Sequence, residues 1–504
     1  MLIRSNYELL IDILSKSSGG EVIIDNNGFI QMDEIVRDIT IKVEENGGTI
    51  KPKPNTDLPE VEWAEPVIAD DYTPIEGEYF YIRSVEDDNV IHLSNKDYIL
   101  GKYLNRLDYS YDQINWQSAS GLTDVTLNKN EKIYLKCGDI YNIEPSDGWG
   151  FVSSEKYFAV GGNYHRLLLP KAADKQEASM NYAFKNNVAW GADMKLTKVD
   201  DYTIMAPGKY GNSAFGGNNY LYSVGVDVYE FSNGYYMCAD SRLLHRIPKL
   251  KMIRGNNLSS AFSNTPNLAE VEFIQIPTST QYGTHLFQNC GLQELKGNFT
   301  NLSSCEVFSC WFWDAKNLRK YNQTINTSSG KYFDRYLNGT SSLDCTTLPT
   351  EFVVHPEASD FRYMFEGCGR DSDKPLITAP ILNTSNGTGF EFMFNNCPFL
   401  ETIPTINLTN ASSADSLMGI FEGCVSLKNI TFEGSINYSL NIPSADLSYA
   451  TIKSVLTAAN NTINSNSKTL DLGGSTVVDN GGEIITLVNS CTAKGWTVNN
   501  LTIN

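Results

Sequence analysis

One local pattern recurs seven times through the C-terminal half of this chain: an apolar anchor followed three residues later by a small residue. The anchors are Phe262, Phe287, Phe312, Leu337, Phe365, Phe394 and Phe421, at intervals of 25, 25, 25, 28, 29 and 27 residues. The small residues are Thr265, Cys290, Ala315, Thr340, Cys368, Cys397 and Cys424, all able to stack in a tight interior column. Leu268, Leu318, Leu343, Leu400 and Leu427 come six residues after an anchor and Leu292 five after, each opening a short Leu-x-x-apolar strand, as at Leu268 with Val271 and Leu427 with Ile430. A unit this short cannot bury its apolar residues alone. Neighbours must stack, and the pattern predicts a solenoid with continuous internal ladders. Met237, 25 residues before Phe262, with Leu243 six after it, reads as an irregular first repeat, and Phe215 with Leu221 as a possible earlier one.

The other segments differ in composition. Residues 1–50 read as a small α+β adaptor: Ser5 and Glu8 form a capping box ahead of Tyr7, Leu10, Ile11 and Leu14, and strands follow around Asn-Gly turns. Pro52, Pro54, Pro59, Pro66 and Pro74 crowd residues 51–76 into an extended linker. Residues 77–170 alternate as short strands at 79–84, 90–93, 107–110, 125–127 and 132–136, the pattern of a small β-sandwich, with Tyr109 and Trp116 expected in its core. The solenoid is assigned to 171–440. Residues 441–504 are expected to close it with an α/β cap: helix 446–460, strand 468–472, helix 479–494 and strand 496–498. The fold class is therefore mainly β with short helices.

Charge limits the partners. A net charge of −20 and a pI near 4.7 disfavour nucleic acid and anionic lipid, which are bound by clustered Lys and Arg. No run of 18 apolar residues suggests membrane insertion. The opening Met-Leu-Ile-Arg-Ser-Asn-Tyr-Glu lacks the basic head and apolar core of a secretory signal, so folding in a cytosol is expected. Cys290, Cys368, Cys397 and Cys424 share one repeat position and read as small hydrophobes, not disulfide partners. Cys305 and Cys310 do not alter that reading.

No catalytic, cofactor-binding or metal-ligating motif emerges. His92, His165, His245, His285 and His355 are dispersed, and the acidic pairs Asp70-Asp71, Asp87-Asp88 and Asp200-Asp201 lack the alternating ligands of a calcium loop and read as solvated turns. The most suggestive binding feature is Trp311-Phe312-Trp313. Phe312 fills the anchor position, so both tryptophans are expected to point away from it, toward a sugar or a partner side chain or into inter-repeat packing.

The run from Leu107 through Tyr109, Tyr111, Asp112 and Trp116 resembles a small β domain that often precedes BspA-like leucine-rich repeats. The units Met393-Phe394-Asn395-Asn396-Cys397-Pro398-Phe399-Leu400 and Ile420-Phe421-Glu422-Gly423-Cys424-Val425-Ser426-Leu427 resemble those repeats, and Gly495-Trp496-Thr497-Val498 resembles their usual ending. The pattern departs at Leu337 and at the interruption 369–374. Such repeats occur in surface proteins of gut bacteria and protists and in virion proteins of phages of gut bacteria. The resemblance carries over no catalytic residue or cofactor. It implies binding to cell surfaces or other proteins, and with no secretory signal in the opening residues the expectation is a non-enzymatic bacteriophage structural protein of head or tail, of fibre or decoration type, made in the host cytoplasm and displayed on the virion surface. Residues 1–76 are expected to contact other virion proteins, and the repeats a host cell-surface glycan or protein, or further virion subunits; homo-oligomers are compatible with this. The alternatives are a secreted bacterial surface adhesin with BspA-like repeats whose leader is absent from this sequence and, more distantly, a glycan-degrading enzyme.

Overall fold

Backbone conformation at two fixed positions around each anchor sets the architecture. In a computed structural model the chain divides into two compact units, Met1–Leu58 and Pro59–Asn504. The structure describes residues 78–94, 107–119, 122–137, 152–154, 156–163, 196–200, 213–462 and 467–504. The adaptor expected at 1–50 and the linker expected at 51–76 lie outside the described residues. What is described is mainly β, built around a β-solenoid of about 11 turns.

Two residues before and two after each anchor, the backbone is left-handed. Around Phe262 these are Ser260 (φ 55°) and Asn264 (57°), around Phe287 His285 (60°) and Asn289 (48°), and around Phe312 Cys310 (60°) and Asp314 (57°); later turns place Gly339, Gly367 and Gly423 at the second position. A non-glycine residue held there costs about 1–2 kcal/mol. What offsets it is a ladder in which three amides per turn donate to carbonyls of the next: Ser260 N to Thr284 O (2.8 Å), Phe262 N to Leu286 O (3.0 Å) and Asn264 N to Gln288 O (2.9 Å).

All seven anchors are 3% exposed or less. The phenylalanines stack face to face, Phe262 on Phe287 and Phe287 on Phe312 at 5.6 Å, and Phe365 on Phe394 at 5.5 Å. A second aromatic column runs four residues before the anchors through Phe308, Phe333, Phe361 and Phe390. The first repeats are shifted from the reading at Met237. Cys238 holds the anchor position, flanked by left-handed Tyr236 and Asp240, with Ser241 in the small column and Leu244 buried six residues on, whereas Leu243 is 42% exposed. Phe215 anchors the turn before it, since its amide donates to Met237 O at 2.7 Å, as every anchor amide does to the residue preceding the next anchor.

After each buried leucine the chain enters a parallel sheet. Val228–Phe231, Lys249–Met252, Glu270–Gln275 and Glu294–Gly297 pair in that order. The sheet is then interrupted. Glu351–Phe352 pairs with Ile381–Leu382, and Thr402–Asn407 with Asn429–Glu433, as separate ribbons; the break falls between Gly297 and Glu351, where Leu318 leads only to an isolated bridge at Lys320 and Leu343 to the 3-10 turn Cys345–Thr347. At the C-terminal end two helices take over from the left-handed turns: α1 (Tyr449–Asn460), capped by Ser448 accepting from Thr451 N, and α2 (Glu483–Ala493). Strands Lys468–Val477 and Trp496–Ile503 alternate with them in a parallel sheet and are longer than the sequence suggested.

Ahead of the solenoid, Leu122–Leu127, Asn89–Ser94 and Val152–Ser154 form one sheet, and a second runs through Phe158–Gly161, Tyr81–Ser84, Lys132–Cys137, Leu107–Ser110 and Gln117–Ala119. This second sheet does not stop at residue 170. Leu196–Val199 adds in parallel to Phe158–Gly161 and then pairs with Ser223–Val224 of the first solenoid turn, so one buried core extends from Phe80 to Trp496. Two expectations are corrected here. Asp200 is not in a solvated turn: it is fully buried, accepting from Arg83 Nε (3.0 Å), Arg83 Nη2 (2.8 Å) and Tyr81 Oη (2.8 Å). Tyr109 and Trp116 are half-buried rather than fully enclosed, Tyr109 packing against the core and the Trp116 ring lying 3.9 Å from Lys136 Nζ.

Candidate functional site

Each anchor and the residue before it both point inward, whereas the residue after it is half-buried in several turns. This decides between the two tryptophans. Trp311, immediately before Phe312, is fully buried, which corrects its expected place on a binding surface. Strict alternation would put 311 and 313 on the same side, but the left-handed residue at Cys310 turns two consecutive side chains into the core. The indole fills the gap that Gly283 leaves in the column between Leu258 and Phe308; a Cβ on Gly283 would collide with Trp311 Nε1 and its ring carbons.

Trp313 stays half-exposed and belongs to a strip of side chains crossing several turns. Arg335 lies between it and the next aromatic, its guanidinium carbon 5.3 Å from the Trp313 ring and 4.2 Å from that of Tyr363. Tyr363 stacks on Phe392 at 5.2 Å and 19°, and His285 flanks Trp313 at 6.2 Å. His285, Arg335, Tyr363 and Phe392 are all two residues before an anchor. Residue type gave no hint of them; position in the repeat could have found them.

Polar groups border the strip. Asp334 accepts from Arg335 Nη1 at 2.8 and 3.1 Å, and Asp360 forms a bidentate pair with Arg362 at 2.7 and 2.8 Å. The Glu366 carboxylate accepts from Asn338 Nδ2 (2.5 Å) and Asn395 Nδ2 (2.9 Å), one turn to either side. Burial raises the carboxyls of Asp334 and Glu366 above the usual range and lowers His285 below the usual histidine value. The face thus offers stacked aromatic surfaces with amide donors and carboxylate acceptors beside them, a combination suited to a polyhydroxylated ring or a partner's polar and aromatic side chains.

Other sites differ in character. An open groove of about 430 Å³ at the start of the parallel strands is lined by Asp227, His245, Lys249, Glu270, Glu272 and Lys296 among others. Its Glu270 pairs with Lys296 (2.9 Å) and its Glu272 with Lys249 (3.5 Å). His92 pairs with Asp124 at 2.8 Å on the surface, His245 packs on Tyr222, His355 Nδ1 accepts from Glu357 N, and His165 lies outside the described residues. Among the described residues, no group of His, Cys, Asp and Glu is arranged to hold a metal ion, and no helix is long and apolar enough to cross a membrane. Compared with known proteins, the chain matches no family model, and no curated sequence matches it significantly.

Proposed function

We propose that this chain is a non-enzymatic structural and recognition protein of a bacteriophage particle, with a solenoid of BspA-like leucine-rich repeats that displays a binding face to a host cell-surface glycan or protein. The observation that carries this reading is the strip of Trp313, Arg335, Tyr363 and Phe392. Stacked turns hold these side chains at one-turn spacing, so little ordering entropy remains to be lost when a ligand with a matching repeat settles on them. In this reading residues 1–76 join the chain to other virion subunits. Resemblance of the repeat units and of the preceding β domain supports the class of protein.

Two experiments test it. The purified chain is screened against host cells and a glycan array. Trp313→Ala and Tyr363→Ala are each expected to weaken binding about tenfold or more, as central aromatic contacts do, with thermal stability little changed; full binding by both variants would remove the strip from the account. Immunogold electron microscopy with antibody against 250–440 tests the location. Gold is expected on phage particles, and gold on bacterial envelopes alone would favour an adhesin instead.

A further inference from the structure

The interruption at 369–374 brings together two thiols that the repeat pattern would keep apart. Cys345 lies in the 3-10 turn Cys345–Thr347, partly open to solvent, and Cys368 is buried three residues after Phe365 in the small column. Their Sγ atoms are 3.8 Å apart. The column's other thiols are directed at backbone: Cys397 Sγ to Phe365 O (3.1 Å), Cys424 Sγ to Phe394 O (3.0 Å) and Cys290 Sγ to Leu268 O (3.6 Å). The pocket around Cys345 is shaped for it, because a Cβ on Gly369, left-handed at φ 63°, would occupy the place of Cys345 Sγ. Cys345 N donates to Lys374 O (3.0 Å) and Lys374 Nζ to Asp344 (2.9 Å), so the inserted segment is already tied to this turn.

We propose that Cys345 and Cys368 are a disulfide-forming pair that staples two consecutive turns where the parallel sheet is interrupted. The oxidant is a low-molecular-weight disulfide. Cys345, the accessible partner, loses its proton, and its sulfur attacks one of the oxidant's sulfurs, forming a mixed disulfide and expelling one small thiolate. Cys368 then loses its proton, and its sulfur attacks that of Cys345, expelling the second. Two protein thiols are oxidised, one external disulfide is reduced to two thiols, and the chain loses two hydrogens. Closure brings the two Sγ atoms from 3.8 Å to the S–S distance of about 2.05 Å. On the reading of the chain as a particle protein, the bond would form after release from a reducing cytosol; the chemistry does not depend on that reading.

The full chain is incubated folded with oxidised glutathione, alkylated, digested and mapped by mass spectrometry. The expected result is a peptide joining Cys345 to Cys368, a mass loss of two hydrogens, and a rise in thermal midpoint of several degrees that reductant reverses. Cys345→Ser is expected to abolish both the link and the reductant-sensitive shift. Glutathione retained on Cys345 without a cross-link, a Cys368–Cys397 link in its place, or a cross-link seen only after denaturation would each overturn the proposal. Because the link is mapped in the wild-type chain, the test does not depend on how well a variant folds.

Discussion

The residue three after each anchor is selected for more than size. Thr265 and Thr340 donate to the carbonyls of Phe262 and Leu337, both at 2.7 Å, Ser241 Oγ to that of Phe215 at 2.7 Å, and Asn218 Nδ2 to the same carbonyl at 3.1 Å. A buried carbonyl without its partner is costly, so small residues carrying a donor outnumber alanine in this column. Thr265→Val, which keeps the shape and removes the donor, is expected to cost about 1–2 kcal/mol in urea unfolding, while Thr265→Ser should cost less. His285 gives a pH prediction. Burial holds its folded-state value below the ordinary one, so below about pH 6.5 the unfolded chain binds more protons than the folded chain, and stability falls as pH falls. Asn tolerates the left-handed backbone and does not titrate. His285→Asn is therefore expected to lose less stability between pH 7 and 5.5 than wild type, measured by denaturation midpoints at each pH.

At the scale of elements, the packing of Trp311 against Gly283 is a tertiary contact between consecutive turns. Gly283→Ala is expected to destabilise by about 1–3 kcal/mol through overpacking, and Trp311→Leu, which vacates the site, should remove most of that increment in a double-mutant cycle. Additive losses would show that the two do not share the space. The anchors, the small column and the leucines were legible in the sequence because each is a fixed residue class at a fixed interval. The binding strip was not, because His285, Arg335, Tyr363 and Phe392, which form it with Trp313, share a backbone conformation and no chemistry. Trp311 was misplaced for a related reason: period-two alternation is a rule for extended chain, and this segment turns through left-handed residues. The shift at Met237 follows from a shorter interval, since Cys238 stands 24 residues before Phe262.

At the scale of the whole molecule, the β domain and the solenoid share a sheet and a core, which no local pattern could reveal because Leu196–Val199 finds its partners on both sides of the expected boundary. The helices of the C-terminal segment 441–504 were legible from their periodicity, although the first begins at Tyr449 behind Ser448 rather than at 446. The segment's role can be tested by removing residues 441–504, which uncovers the strand Asn429–Glu433 and the apolar surface beneath α1. The shortened chain is expected to self-associate, seen by light scattering, as exposed edges do.

The amide ladder also has a mechanical side. Its bonds all point the same way, each turn donating to the next, so a load applied along the axis is carried by them in series, and the weakest turn yields before its neighbours share the strain. Pulled between its ends, the solenoid should lengthen in discrete steps, each releasing one turn of 23–29 residues, or on the order of 80–100 Å of extended chain, and optical tweezers would record a sawtooth. A cross-linked pair of turns at Cys345 and Cys368 would shorten the matching step in oxidised molecules and restore it under reductant.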